Sequence, residues 1–126
     1  MDIHEYQAKK ILSDFGIFIP RGGIAYSPEN AEFKAREIGG SKWVVKAQVH
    51  SGARGKAGGI KICKTELEVA QSTDKLLGKK LITNQTGPSG KIINRVYIEE
   101  ATQIEKELYL GLVFDRGSES IMVVAS

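Results

Sequence analysis

No stretch constrains this chain more than Trp43-Val-Val-Lys-Ala-Gln-Val-His-Ser-Gly-Ala-Arg-Gly-Lys-Ala-Gly-Gly59. Trp43 to Val49 is apolar and rich in β-branched residues, which predicts a largely buried strand. Lys46 lies in the middle of it. A buried ammonium is costly unless an anion meets it, so Lys46 needs a carboxylate partner or an anionic ligand. His50 to Gly59 then combines four glycines with His50, Arg54 and Lys56. Glycines let backbone N–H groups turn towards an anion with no Cβ in the way. A strand lysine feeding a basic glycine loop is suited to holding a polyphosphate, and so a nucleotide.

The loop is not a P-loop, because Gly52-Ala-Arg-Gly-Lys-Ala has two residues too few before Gly-Lys and no hydroxyl after it. It is not a dinucleotide fingerprint either, since Ile60-Lys-Ile-Cys63 alternates as a strand where that motif needs a helix. The pattern predicts a hairpin flap able to fold over phosphates, as the glycine-rich loop of kinases does. An ordinary glycine-rich hairpin, with Lys46 paired to a glutamate, fits the same residues.

At 126 residues, with 41% hydrophobic and 26% charged side chains, the chain is long enough for one modest core. The net charge of +3 is spread along the chain and does not point to nucleic acid. The single cysteine, Cys63, excludes an internal disulfide and reads as a small apolar filler. Met1-Asp-Ile-His-Glu opens acidic, and no apolar run approaches membrane-spanning length. The expected location is cytoplasmic, or the mitochondrial matrix in a eukaryote, although no transit peptide is seen. Ile121-Met-Val-Val-Ala-Ser126 reads as a strand that stops without a turn or polar tail, so a truncated domain is expected.

Asp2 to Glu5 has capping-box spacing. Ala8, Ile11, Leu12 and Phe15 mark the apolar face of a helix over 3–15 that Gly16 ends. A short strand at 17–19 follows, and Gly22-Gly23 turns the chain into a strand at 24–26. Ser27-Pro28 starts a helix whose inner face is Ala31, Ala35 and Ile38. Thr65 to Glu68 is a second capping box, opening a helix to Leu77. Strands follow at 81–83, 96–100, 107–115 and 121–125, with a turn-rich excursion over 86–91. The order predicts an α+β domain with a mixed, mostly antiparallel sheet. Glu99, Glu100, Glu105 and Glu107 cluster at one strand junction. Such carboxylates can accept from ribose hydroxyls, but their spacing dictates no metal site.

His4-Glu-Tyr-Gln-Ala-Lys9, Trp43 to His50, Arg54-Gly-Lys-Ala-Gly-Gly59 and Glu107-Leu-Tyr-Leu-Gly111 together resemble the β subunits of ADP-forming succinate–CoA ligases, within the ATP-grasp superfamily. The resemblance runs from Met1 to Ser126. It implies the N-terminal third of such a subunit. Residues 20–112 would form the first ATP-grasp subdomain. Residues 1–19 and 113–126 would belong to the second, which would be truncated.

By the same resemblance, Lys46 would meet the nucleotide phosphates, and Ala53, Arg54 and Gly55 would form the loop over them. Glu99 and the backbone near Thr102 would hold adenine, and Glu107 would bind ribose. The family reaction joins succinate and CoA at the expense of ATP, releasing ADP and phosphate through a phosphohistidine on a separate α subunit. His50 is not that histidine and is expected to contact phosphate or partner, or to be structural. No catalytic residue or metal ligand is expected within these residues, and the Mg2+ ligands would lie beyond Ser126. The family usually carries glycine where Ala53 stands, so a left-handed conformation there would be strained. Malate–CoA ligase β subunits share the module. A non-catalytic basic binding module is the reading from another class. Neither nucleic acid nor membrane is an expected partner, and self-association of the truncated chain is.

Overall fold

The computed structural model describes residues 2–126. Four strands form the main sheet: β1 (Gly22–Ala25), β2 (Trp43–Ala47), β3 (Ile60–Cys63) and a later strand at Val96–Glu100, here β6. Their spatial order is β1-β6-β2-β3, antiparallel throughout, with Trp43 opposite both Cys63 and Glu100. Between β3 and β6 run helix α3 (Glu66–Leu76) and the two-residue strands β4 (Lys80–Leu81) and β5 (Lys91–Ile92), which pair with each other. Helices α1 (Glu5–Asp14) and α2 (Pro28–Ile38) come earlier, and the hairpin β7 (Leu110–Asp115) and β8 (Ser120–Ala125) closes the chain. This is the expected α+β arrangement.

One face of the sheet makes the core. Along β2 the burial alternates, so Trp43, Val45 and Ala47 point one way while Val44 and Lys46 point the other. Val96 and Ile98 of β6 join the inward set. Helix α2 covers it with Ala31, Ala35 and Ile38, and α3 with Val69, Thr73 and Leu76. Both helices are capped as their sequences predict: Ser27 Oγ accepts from Asn30 N–H, and Thr65 Oγ1 from Glu68 N–H, each at 3.1 Å. Among the described residues no helix is long and apolar enough to cross a membrane.

Helix α1 forms as expected, but His4 rather than Asp2 is its N-cap, with His4 N–H donating to Gln7 Oε1 at 2.8 Å. The residues it turns to the sheet are Glu5, Tyr6 and Lys9. Ile11, Leu12 and Phe15 stay exposed, and no α1 residue is buried. Among the described residues the apolar stripe is therefore left largely uncovered. Several strand assignments differ from expectation, among them β4, which runs Lys80–Leu81 rather than 81–83. Residues 17–19 form no strand. Gly22 and Gly23 are not a turn but part of β1, and Gly22 suits that place because an added Cβ would lie 2.3 Å from the Tyr97 hydroxyl. β7 begins at Leu110 rather than 107, and the excursion over 86–91 ends in a strand, β5. Among the described residues the hairpin β7–β8 pairs only with itself, and every residue of β8 is exposed.

Candidate functional site

The polar face of the sheet carries the site. Pleating places Lys46 of β2 on the side away from α2 and α3, and the antiparallel register sets Tyr97 opposite Lys46 and Glu99 opposite Val44. Helix α1 lies across this face and lowers Glu5 and Lys9 onto it. Lys46 Nζ donates to Glu5 Oε1 and to Glu99 Oε1, each at 3.0 Å. Lys9 Nζ also binds Glu99 and approaches Glu5 Oε1 at 3.4 Å. Arg54 reaches back from the glycine loop, donating from Nη2 to Glu5 Oε2 at 2.6 Å and from Nη1 to the Ala47 carbonyl at 2.8 Å. Gln48 Nε2 adds a bond to Glu5 Oε2 at 3.3 Å, while its Oε1 accepts from Tyr6 N–H at 3.2 Å. Burial opposes ionisation of Glu5, but the Lys46 and Arg54 charges outweigh it and hold the carboxyl down at about 2. Burial likewise works against the Lys46 ammonium, and Glu5 and Glu99 more than offset it, so its pKa is raised. The Tyr97 hydroxyl is pushed up to about 12 by burial and by its acidic neighbours Glu99 and Glu5.

The hairpin loop between β2 and β3 is organised at both ends. Gly59 N–H donates to the Arg54 carbonyl at 2.8 Å, Ala47 N–H to the Gly59 carbonyl at 2.7 Å, and Gly52 N–H to Gln85 Oε1 at 2.6 Å. Between these anchors, and among the described residues, the N–H groups of Ala53, Arg54 and Gly55 donate to no protein acceptor. Ala53 has φ of 55°, the left-handed conformation its sequence context made costly. A left-handed residue in such a run makes a concave nest of N–H groups suited to an anion. Glu5, His50, Ser51, Gly52, Arg54 and Gln85 line a cleft of about 400 Å³ beside this loop.

Lys46, Arg54 and Glu99 thus converge, with Ala53 and Gly55 on the exposed loop beside them. Thr102 and Glu107 do not join them. Both lie exposed in the connection 101–109, and among the described residues their side chains make no hydrogen bond or ion pair. Thr102 lines a separate cleft with Gln103 and Glu105. His50 stacks on His4, with ring centroids 4.0 Å apart. Burial, together with His50, Arg95 and Arg54 nearby, lowers the His4 pKa. Sequence reasoning missed Glu5, Lys9 and Gln48. The signal available was the unmet need of Lys46 for a carboxylate, but nothing in spacing says which of 15 acids supplies it.

A family described as ATP-grasp domain matches residues 2–126. The chain belongs to the ATP-grasp family. Over all 126 residues it is 62% identical to a probable malate–CoA ligase subunit beta of Mesorhizobium japonicum and 52% identical to a succinate–CoA ligase [ADP-forming] subunit beta of Nautilia profundicola. The chain spans about a third of each, 32%. A dinucleotide-forming acetyl-coenzyme A synthetase of Candidatus Korarchaeum cryptofilum, solved with coenzyme A, acetyl-coenzyme A and a phosphorylated phosphohistidine segment, superposes with a TM-score of 0.71. It is 25% identical to this chain, covering 99% of it and 53% of that chain. A phosphoribosylamine–glycine ligase of Thermotoga maritima shares the fold at a TM-score of 0.66 and 23% identity, over 97% of this chain and 27% of its own.

The ion-pair cluster of this ATP-grasp chain predicts a pH profile. Glu5 titrates near 4.5 when unfolded and at about 2 when folded, so its contribution is complete above pH 4.5 and is lost as pH falls towards 2. That loss should reach about 3 kcal/mol at most. Lys46 is raised above its ordinary 10.5, so its contribution is complete below that value and lost only in stronger alkali. Urea midpoints at pH 6, 4 and 2.5 should show the acid loss in the native chain and much less of it in Glu5→Gln. Equal acid slopes in both would contradict this assignment.

Proposed function

We propose that this chain is the nucleotide-phosphate half of the ATP site in the β subunit of an ADP-forming succinate–CoA ligase. The observation that carries the reading is the run of three N–H groups at Ala53–Gly55 that meet no protein acceptor among the described residues, on a loop whose Arg54 shares Glu5 with Lys46, in an ATP-grasp chain. Lys46 and Arg54 neutralise phosphate charge, and the loop adds backbone donors. Glu99 and the backbone near Thr102 hold the adenine side, and Glu107 binds the ribose hydroxyls. Residues 1–19 and 113–126 belong to the second ATP-grasp lobe. In support, α1 buries no residue here, and among the described residues the exposed β7–β8 hairpin pairs with no other strand. Met1, within the first of these segments, lies outside the described residues.

In the whole enzyme the chain works with an α subunit. A histidine there attacks the γ-phosphorus of ATP, ADP leaves, and the phosphoryl group then passes to succinate before CoA displaces it as inorganic phosphate. Splitting the transfer through a covalent phosphohistidine replaces one difficult step by easier ones. This chain contributes positioning and charge neutralisation, which are the main demands of phosphoryl transfer. Magnesium would supply further neutralisation of phosphate charge, and its ligands are expected beyond Ser126. Among the described residues no three His, Cys, Asp or Glu side chains come together to bind it.

Malate as the acid is the second reading, favoured by the 62% identity to a probable malate–CoA ligase subunit. The full-length gene product, co-expressed with its α subunit, should form ADP and succinyl-CoA from ATP, CoA and succinate. Turnover with malate and not succinate would establish the second reading, and acyl-CoA from neither acid would overturn both.

A further inference from the structure

Glu5 stands where a phosphate would be expected to stand. Its two carboxylate oxygens are met by Lys46 Nζ at 3.0 Å, Arg54 Nη2 at 2.6 Å and Gln48 Nε2 at 3.3 Å, with Lys9 Nζ at 3.4 Å. Three cations and an amide around a pair of anionic oxygens make a donor set that serves carboxylate and phosphate alike. The side chain is well sheltered, at 18% exposure, and lines the same cleft as Arg54 and Gly52. Lys9, Lys46 and Arg54 are opposed here by Glu5 and Glu99, so the local charge is barely positive. Lys46 cannot give its full charge to a ligand while two carboxylates hold it.

We propose that Glu5 is an internal competitor, a carboxylate from α1 that occupies the phosphate donors Lys46 and Arg54 and that a polyphosphate must displace on binding. The inference rests on the phosphate reading of this site and deepens it by naming the residue that sets its affinity and its selectivity for ligand charge. A monoanion or dianion gains too little from Lys46 and Arg54 to release Glu5. A triphosphate, with charge spread over several oxygens, replaces the carboxylate and engages the nest at Ala53–Gly55 as well. Displacement also frees Arg54 from α1, so that the loop closes on the ligand instead of on the helix. The cluster thereby keeps Lys46 paired in the ligand-free state, where a lone buried ammonium would be costly, and holds the loop ready.

Calorimetry on the full-length gene product, with inorganic tripolyphosphate and orthophosphate as probes, tests this. Glu5→Gln keeps the shape and removes the charge. It should bind tripolyphosphate about tenfold more tightly than the native protein, with a much smaller gain for orthophosphate, because the removed repulsion scales with ligand charge. The gain should shrink as salt rises. A Glu5→Gln protein that binds tripolyphosphate no more tightly, or that tightens equally for both anions, overturns the proposal. Lys46→Ala separates the two layers of the argument. If it weakens tripolyphosphate binding while Glu5→Gln does not tighten it, the competitor role alone fails; if it changes nothing, the phosphate reading fails with it. Should Glu5→Gln not fold, the native protein carries the test through the ¹³C signal of the Glu5 carboxyl. That signal should move when tripolyphosphate saturates the site, and an unmoved signal at saturation overturns the proposal.

Discussion

Replacing Lys46 by alanine will weaken ATP binding at least about thirtyfold, the loss expected when one member of a buried charged contact is removed. The same change will cost the fold about 3 kcal/mol, near the low end for breaking a buried ion pair. The low end applies because neither carboxylate is left alone: Glu99 keeps Lys9, and Glu5 keeps Arg54. Stability and binding are therefore separable. Urea unfolding reports the first, and calorimetry with ATP at a temperature where the variant is folded reports the second. Arg54→Ala should have the smaller effect on binding, since the N–H groups of the loop remain. An ATP affinity in folded Lys46→Ala equal to that of the native protein would remove Lys46 from the phosphate site.

Trp43→Ala will be the most destabilising change in the core, at about 3–5 kcal/mol. Trp43 is 4% exposed, begins β2, and its indole N–H donates to the Gly39 carbonyl at 2.9 Å, tying the strand to the end of α2. Removing it opens a cavity and leaves that carbonyl without its partner. Against a typical domain stability of about 5–15 kcal/mol, the loss consumes a large share. Because β2 also carries Lys46, nucleotide binding should disappear along with the folded fraction. Trp43→Phe, which keeps most of the volume, should cost much less. Circular dichroism during urea unfolding measures both variants, and a Trp43→Ala midpoint close to the native one would show that β2 is not anchored by this side chain.

Much of the fold was legible because local rules and burial agree. Ser27-Pro28 and Thr65 with Glu68 mark helix starts through bonds made within four residues, and α2 buries the same Ala31, Ala35 and Ile38 that its periodicity singles out. The strands at 43–47 and 60–63 and the glycine loop between them follow from alternation and from glycine's freedom. Errors fell where distant residues decide. Gly22 and Gly23 look like a turn until Tyr97, 75 positions away, lies over Gly22 and makes a side chain impossible there. Lys91–Ile92 is a strand only because Lys80–Leu81 pairs with it.

The sequence by itself determined that a lysine in a buried strand leads into a basic glycine loop, and that this lysine requires an anion. Those are properties of residue type and spacing, and the strand and the loop follow from them, whereas the left-handed Ala53 goes against its residue type. Only the tertiary structure decided which anion is present. Antiparallel pairing brings Glu99 beside Lys46, and α1 carries Glu5 across 41 positions to close the cluster. The same helix, amphipathic by sequence, turns its charged side to the sheet and leaves Ile11, Leu12 and Phe15 outside. Periodicity shows that a helix has an apolar face, but not which face its neighbour will take. Here Glu5 and Lys9 of α1 complete the ion-pair cluster that Glu99 begins with Lys46, so the polar face is the one turned to the sheet.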